Sequence, residues 1–371
     1  MIQETFFHSP KVYLFGFSRW KHGFIKSFLK EYESRNIFFI NPIFSSFLDS
    51  ACKKGMDATS EIYVWGKKEF PDIEEFAAKN ALHVTRVEDG FIRSVGLGSD
   101  LTQPYSLVVD KHGIYFDPSQ RSDLEDFLNT YNFKNDALLL ARAKSLVEKI
   151  IATKISKYNA DTHQVLTFAT NKKLVLVPGQ VEDDASIRLG AEGMKNIELL
   201  QKVRENMPND FIIFKPHPDV LSGNRVGHIN ENEALVFCDI VVQNVSMASV
   251  LEVVEEVHTM TSLTGFEALL YGKKVTTYGM PFYAGWGLTQ DMHKIDRRTR
   301  DLNLMELVAG TLLLYPRYLH PQSQKFCTPE EVLLYIEAQK KKLESSLYLR
   351  LVFKFRNFLS RWAQKFLSLV A

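Results

Sequence analysis

The chain has 371 residues, a formal net charge of +1 and a hydrophobic fraction of 45%, which is typical of a globular protein long enough for two domains. The near-neutral charge gives no indication of a nucleic-acid partner. Three widely separated cysteines argue against a disulfide framework and lack metal-ligand spacing, so we expect a reducing cytoplasm. We find no signal-peptide pattern and no run of roughly 18 apolar residues, which predicts a chain that stays on the side of the membrane where it is made.

The first half alternates apolar runs with helical patterns, and this order predicts a parallel sheet with helices on its faces. The predicted strands are residues 11–17, 36–40, 61–65 and 83–87, and the predicted helices are 20–32, 70–80, 122–131 and 136–158. Residues 106–117 predict two short strands that meet at a hairpin turn, 111–113. The polar, turn-rich segment 159–171 predicts the joint between two domains.

The second half repeats this alternation. The predicted strands are residues 173–177, 210–214, 239–242, 256–260 and 274–278, and the predicted helices are 191–206 and one that begins within 266–271. The fold class is therefore α/β, with two Rossmann-like domains facing a cleft. In open parallel sheets, ligands bind beyond the carboxyl ends of the strands, and the polar motifs of this chain follow predicted strands.

Two acidic segments are candidates for the chemistry. Residues 87–94 (VEDGFIRS) place two acids at a strand end, where a carboxylate can accept a proton from a hydroxyl; the alternative is a solvated loop in which Arg93 pairs with a neighbouring acid. Residues 178–186 (PGQVEDDAS) place three consecutive acids before a helix, where acids also cap free N–H groups. Two facing carboxylates are what chemistry at a sugar's anomeric carbon requires.

Two further segments are suited to an anion. In residues 214–218 (FKPHP), prolines fix the backbone on both sides of His217, and together with Lys215 it suits a leaving phosphate; a structural histidine is the alternative. Residues 261–267 (TSLTGFE) join a strand to a helix, where free N–H groups form an anion site. Thr264 and Glu267 also have the spacing of a capping box.

Other patterns are weaker or absent. Residues 279–287 (GMPFYAGWG) form a glycine-rich aromatic loop that either closes over a base or sugar or is a packed turn. No Walker-type or dinucleotide-binding fingerprint appears. The adjacent pair Asp183 and Asp184 has no clear metal context. A leaving group with one phosphate needs less help from a metal than a diphosphate does, so we expect a reaction with no metal and no cofactor.

Together these segments resemble the KpsC-type capsule polysaccharide synthesis family, the β-Kdo transferases. The matching text is residues 87–125, 177–190 (VPGQVEDDASIRLG), 214–220 (FKPHPDV) and 259–289, and the resemblance runs from about residue 12 to residue 318. It implies a GT-B-like architecture, CMP-Kdo as the donor substrate and retention of configuration. The implied domains are an acceptor-side domain at 1–160, a nucleotide-sugar-binding domain at 161–330 and C-terminal helices at 331–371.

The resemblance also implies roles for single residues. Asp184 resembles the family's nucleophilic aspartate, and Glu88 its acid/base carboxylate. The registers Asp183 against Asp184 and Glu88 against Asp89 stay open at this point. The implied donor-binding positions are Gln180, Lys215, His217, Ser262, Thr264 and Glu267.

The chain has the length of one such module, whereas members of the family often carry two. It is therefore expected to add one Kdo linkage, to work with a partner module, or to act in a lipopolysaccharide rather than a capsule pathway. The expected acceptor is a glycolipid or a Kdo-terminated glycan, and other capsule synthesis or export proteins are candidate partners. Residues 347–371 contain five basic residues and no acid, a pattern that predicts an amphipathic helix on an anionic membrane surface; packing against the N-terminal domain is the alternative.

The expected location is thus the cytoplasm, peripheral to the inner face of the bacterial inner membrane. Two rival functions stay open. One is a non-catalytic export or scaffold subunit that binds polysaccharide. The other is a transferase of the same fold that uses CMP-sialic acid or a nucleotide-diphosphate sugar.

Overall fold

The computed structural model describes residues 10–96, 101–157, 163–221, 223, 225–346 and 348. The strands are β1 Val12–Phe15, β2 Ile37–Ile40, β3 Glu61–Trp65, β4 Val84–Asp89, β5 Ser106–Asp110, β6 Leu174–Pro178, β7 Phe211–Lys215, β8 Ile240–Val241, β9 Glu256–Thr259, β10 Lys274–Thr277, β11 Gln290–Asp291, β12 Pro316–Leu319 and β13 Phe326–Cys327. The α-helices are α1 His22–Phe28, α2 Phe47–Cys52, α3 Pro71–Lys79, α4 Asp123–Thr130, α5 Ala137–Thr153, α6 Ala185–Gly190, α7 Asn196–Asn206, α8 Pro218–Leu221, α9 Glu231–Ala234, α10 Met247–Val253, α11 Leu263–Leu270, α12 Leu304–Val308 and α13 Pro329–Ser345.

These elements build two sheets. The first has the order β13-β12-β5-β4-β3-β1-β2, with β1 to β4 parallel to one another and β5, β12 and β13 antiparallel to their neighbours. The second has the order β11-β10-β9-β6-β7-β8 and is parallel throughout. The predicted class, two Rossmann-like α/β domains facing a cleft, is confirmed. The chain returns to the first sheet at β12 and β13, and the predicted domain boundaries stay predictions.

Strands β1, β3, β6 and β7 are largely apolar because both faces of each sheet are covered. In β1, Val12 and Leu14 pack into one core cluster, whereas Tyr13 and Phe15 pack into another on the opposite face. This division follows from the alternation of side chains along a strand. The largest cluster contains residues from both domains, among them Val108 of β5 and Leu176 of β6, so the two domains share one continuous core.

Two predicted elements are wrong, and two more differ in their bounds: the helix predicted to begin within 266–271 begins at Leu263, and the helix predicted over 136–158 ends at Thr153. The hairpin at 106–117 is absent, because the Asp110 carboxylate accepts hydrogen bonds from the backbone N–H groups of His112, Gly113 and Asp123 and turns the chain into a loop after β5. The helix predicted at 191–206 begins only at Asn196. The segment before Asn196 includes Glu192 and Gly193, whose φ angles of 52° and 75° lie in the left-handed region and interrupt the predicted helix.

Among the described residues, no helix is both long enough and apolar enough to cross a bilayer. The predicted membrane-associating tail, 347–371, lies outside the described residues apart from Tyr348. Cys52, Cys238 and Cys327 are all free thiols.

Candidate active site

A cavity of about 700 Å³ lies between the two domains, a volume typical of small-molecule sites. One wall consists of residues at or after the carboxyl ends of β3, β4 and β5 in the first sheet. The other consists of residues after the carboxyl ends of β6, β7 and β9 in the second. All eight residues predicted from the sequence line this cavity: Glu88, Gln180, Asp184, Lys215, His217, Ser262, Thr264 and Glu267. The carboxyl ends of parallel strands have brought the separate motifs together, as expected for such sheets.

Glu88 and Asp89 end β4, and their surroundings differ. Burial raises the pKa of Glu88 from 4.5 to about 7; the charge of Asp89 adds to this, and that of Lys21 opposes it. Burial also acts to raise the pKa of Asp89, but the charges of Arg93, Lys21 and Lys157 together with the Arg93 hydrogen bond outweigh it, and the pKa lies below its ordinary value. Asp89 and Arg93 form a 2.6 Å ion pair in which Arg93 is only 1% exposed. Asp89 therefore has a structural partner, whereas Glu88 is the carboxyl suited to exchanging a proton near pH 7.

Gly66 makes room for Glu88. Its φ angle is +58°, and a Cβ atom there would lie 2.9 Å from Glu88 Oε2. Close by, the Lys21 ammonium lies 3.0 Å from the centre of the Trp65 ring. Burial lowers the pKa of Lys21 to about 8, so the ammonium is charged at neutral pH. From the loop after β1, this charge lowers the pKa of Glu88.

Asp184 is the N-cap of α6 on the opposite wall. Its Oδ1 accepts hydrogen bonds from the Ser186 backbone N–H at 2.9 Å and from the Ser186 hydroxyl at 2.7 Å. Asp183 is absent from the cavity lining and pairs with Arg225 at 3.1 Å. Of the two adjacent aspartates, only Asp184 thus lines the cavity.

Lys215 and His217 follow β7 on the same wall. Lys215 is 5% exposed, and burial lowers the pKa of His217, so the imidazole is neutral at pH 7. Its Nδ1 accepts a hydrogen bond from the Asp219 backbone N–H at 3.1 Å, which leaves the ring proton of the neutral form on Nε2. The pair offers an ammonium and an imidazole N–H donor, both suited to a phosphate oxygen.

The start of α11 is built by Gln180. The Gln180 side-chain oxygen accepts hydrogen bonds from the backbone N–H groups of Thr261 and Ser262, at 3.0 and 3.1 Å, and its Nε2 donates to the Thr261 hydroxyl. The predicted capping box at Thr264 is wrong, because the N-cap is Ser262, whose hydroxyl oxygen accepts from the Thr264 N–H. Gln180 therefore shapes the β9–α11 loop as well as lining the cavity.

Glu267 lies one turn into α11 and contacts the segment that connects the two domains. Its Oε1 accepts a hydrogen bond from the Lys157 backbone N–H at 2.9 Å. Burial raises the pKa of Glu267 to about 7, and this hydrogen bond and the Lys157 charge act in the opposite direction. Glu267 thus reaches the connection after α5, a contact that the sequence did not suggest.

The glycine-rich loop 279–287 is a packed turn. Tyr283 and Trp286 are fully buried, and the Tyr283 hydroxyl donates a 2.6 Å hydrogen bond to the Ser262 carbonyl oxygen. Pro281 and Phe282 border the cavity. The loop therefore supports the start of α11 from behind and contributes two apolar side chains to the site.

Sequence reasoning missed several cavity-lining side chains. The most central is Lys157, whose charge acts on Glu88 from one domain and on His217 from the other. Tyr115, within the segment wrongly predicted as a hairpin, lines the cavity, as does Arg188, which follows the acidic motif. No local pattern marks Lys157, whereas Arg188 lies within the quoted motif of residues 177–190.

The chain is thus an α/β protein of two Rossmann-like domains, with carboxylates on facing walls of the cavity between them. The sequence model "Capsule polysaccharide biosynthesis protein" matches residues 60–159 and 130–318. The chain belongs to this family, and the resemblance to its KpsC-type members is confirmed.

Relatives and solved structures agree with this assignment. Capsule polysaccharide modification protein LipA of Neisseria meningitidis serogroup A is 44% identical over 331 residues, which is 89% of this chain and 46% of LipA. Lipopolysaccharide-processing protein LpsZ of Rhizobium meliloti is 39% identical over 83% of this chain and 70% of LpsZ. The chain thus spans about half the length of LipA.

Two solved structures come from Thermosulfurimonas dismutans KpsC. Its beta Kdo 2,7 transferase is 38% identical, with a TM-score of 0.71 over 89% of this chain and 100% of that one. Its beta Kdo 2,4 transferase is 31% identical, with a TM-score of 0.76 over 89% of this chain and 98% of that one.

Proposed function

We propose that this protein is a retaining β-Kdo glycosyltransferase that uses CMP-Kdo in the synthesis of a capsule or lipopolysaccharide. The similarity to two β-Kdo transferase structures supports the reaction, and the similarity to LipA and LpsZ supports the two pathways. The observation that carries the proposal is that Glu88 and Asp184 line one cavity from opposite domains, together with Lys215 and His217.

The proposed reaction has two displacements. In the first, the Asp184 carboxylate attacks the anomeric carbon of Kdo, the bond from that carbon to the phosphate oxygen of CMP breaks, and CMP leaves with the electron pair. In the second, an acceptor hydroxyl attacks the same carbon, its proton passes to the Glu88 carboxylate, and the bond to Asp184 breaks. Two inversions give net retention, and a base with a pKa of about 7 is matched to neutral pH.

The remaining residues are proposed to hold the donor. Lys215 and the Nε2–H of His217 contact the phosphate, whose negative charge grows as the bond to the sugar breaks. Ser262 and Thr264 present the start of α11 to the nucleotide, and Gln180 and Glu267 keep that start and the domain joint in place. We propose that no metal and no cofactor is required, so that transfer is unchanged in EDTA.

The proposed acceptor is a lipid-linked or Kdo-terminated glycan, and the proposed location is the cytoplasmic face of the bacterial inner membrane. A lipid-linked acceptor at that surface accounts for the basic, apolar pattern of residues 347–371. Other capsule synthesis or export proteins, or a second transferase module, are proposed partners.

The deciding experiment is intact-protein mass spectrometry after mixing with CMP-Kdo in the absence of acceptor. We expect a Kdo adduct that peptide mapping assigns to Asp184. Glu88→Gln should accumulate the adduct when acceptor is added, because the second displacement lacks its base. Asp183→Ala is the matched control, since this neighbour carries the same charge outside the cavity lining, and it should form the adduct normally.

Two outcomes would refute the assignment. Full transfer activity in Asp184→Ala would show that Asp184 is not the nucleophile. Binding of polysaccharide with no turnover of any CMP-sugar would favour a non-catalytic scaffold protein. Calorimetry with CMP and with UDP separates a CMP-sugar transferase from one that uses a nucleotide diphosphate, because only the former prefers CMP.

A further inference from the structure

The loop between β2 and α2, residues 41–46 (NPIFSS), exposes two large apolar side chains. Phe44 is 99% exposed and Ile43 is 78% exposed. The neighbouring Phe47, in contrast, packs on Phe70 with a ring separation of 4.6 Å. The loop is therefore anchored at its base, and the two side chains at its tip project into water, where each exposed apolar group of this size is unfavourable.

Sheet order places this loop at the outer corner of the cleft. It follows β2, and β2, β1, β3 and β4 are parallel neighbours in that order. Their carboxyl ends share one edge, so the loop lies on the same edge as Glu88. Three strand spacings separate β2 from β4, which corresponds to about 14 Å.

The loops around it are basic. The loops after β1, β2 and β3, residues 16–21, 41–46 and 66–69, contain four cations and one acid, Glu69. The cations are Arg19, Lys21, Lys67 and Lys68. Arg19 and Lys68 are exposed, and the Asn41 side chain ties the loop to the first of its neighbours by donating to the Phe17 carbonyl oxygen at 3.3 Å. The acids on the loop's own side are the exposed Asp49 in α2 and Asp72 in α3, whose carboxylate accepts a 2.9 Å hydrogen bond from the Leu48 N–H.

The exposed area decides between a protein and a bilayer as the occupant. A phenylalanine and an isoleucine together bury at most about 400 Å², whereas a stable protein interface needs about 800 Å² from each partner. A bilayer has no such requirement, since protruding apolar side chains flanked by cations insert between anionic headgroups. Trp20, half-buried on the adjacent loop, is of a type enriched at membrane interfaces.

We infer that the loop 41–46 is a membrane-docking site, at which Ile43 and Phe44 insert into an anionic lipid surface and Arg19 and Lys68 contact its headgroups. This contact directs the open corner of the cleft toward the bilayer. The inference rests on the proposed function only for its purpose, which is to present a lipid-linked acceptor to Glu88. It is separate from the predicted tail contact, because it uses a different part of the chain.

The test uses the full chain with Cys52→Ser, which removes the exposed thiol, and with Phe44→Cys labelled with an environment-sensitive dye. The matched control is the same dye at Leu138→Cys, because Leu138 is 85% exposed and lies about 22 Å along α5 from the helix end nearest the cleft. Vesicles of phosphatidylcholine with phosphatidylglycerol are compared with vesicles of phosphatidylcholine alone. We expect a blue shift and quenching by a lipid-borne quencher at position 44 on anionic vesicles only, and no change at position 138.

A second measurement uses unlabelled variants. Phe44→Ser should weaken partition onto anionic vesicles by about tenfold, whereas Leu138→Ser should leave it unchanged. Equal dye responses at both positions, or none at position 44, would overturn the inference. A dye response at position 44 that grows with protein concentration in the absence of vesicles would also overturn it and assign the loop to a second copy of the chain. Vesicle binding is measured without donor and the Kdo adduct without vesicles, so the two proposals fail independently.

Discussion

Glutamine in place of Glu88 is expected to abolish transfer and, at alkaline pH, to stabilise the fold. The pKa of Glu88 rises from 4.5 to about 7 on folding, so the folded protein holds this proton more tightly than the unfolded chain does. Below pH 4.5 the carboxyl is neutral in both the folded and the unfolded state, so its ionisation does not affect the free energy of unfolding. As the pH rises from 4.5 through 7, ionisation favours the unfolded chain, and above 7 the loss of stability is complete.

The magnitude follows from that interval. One pH unit corresponds to about 1.4 kcal/mol, so the cost of the Glu88 charge is at most about 3 kcal/mol, and contact with solvent in the cavity reduces it to about 1–2 kcal/mol. Glutamine removes the charge, and its side-chain oxygen can still accept the 2.9 Å hydrogen bond that Glu88 accepts from the Asp89 N–H. The expected gain is largest at pH 8 and several-fold smaller at pH 5.

Urea denaturation of both proteins at pH 5 and pH 8 measures this gain. Asp89→Asn is the matched control of opposite sign, because it removes the carboxylate from the 2.6 Å ion pair with the buried Arg93 and should destabilise the fold by about 3–5 kcal/mol. A gain for Glu88→Gln that is equal at the two pH values, or a loss at pH 8, would refute the account of Glu88 as a half-buried carboxyl with a raised pKa.

Three further substitutions test the site and its support. Lys21→Met should move the ascending limb of the pH–rate profile to higher pH, because Lys21 lowers the pKa of Glu88; an unmoved limb would contradict this. Gly265→Ala would place a Cβ atom 2.2 Å from the Tyr283 hydroxyl oxygen. We therefore expect the free energy of unfolding, measured with urea, to fall by about 1–3 kcal/mol, and CMP binding, measured by calorimetry, to weaken. Normal CMP affinity would show that the packing of Gly265 against Tyr283 does not support the nucleotide site. Glu125→Ala leaves the guanidinium groups of residues 297 and 298 without their carboxylate and should cost about 3–5 kcal/mol in urea denaturation, whereas a loss below about 1 kcal/mol would show that the ion pairs are dispensable.

The structure narrows two choices that the sequence left open. Asp184 and Asp183 are indistinguishable in the motif, and both lie near Arg225, at 4.0 and 3.1 Å. They differ in that Asp184 caps α6 and lines the cavity, whereas Asp183 is absent from the cavity lining. Glu88 and Asp89 are likewise distinguished by a neighbour, because the buried Arg93 forms an ion pair with Asp89. The catalytic roles of Asp184 and Glu88 stay predictions until the adduct experiment is done.

The sequence by itself determined the alternation of strands and helices and the positions of the motifs after strand ends. These are properties of local periodicity, and parallel strands with aligned carboxyl ends convert them into one cleft. Only the tertiary structure decided which polar groups meet across long separations, such as Gln180 with the Thr261 loop and Glu267 with Lys157. Such contacts depend on how two independently patterned domains pack, and no short stretch of sequence contains that information.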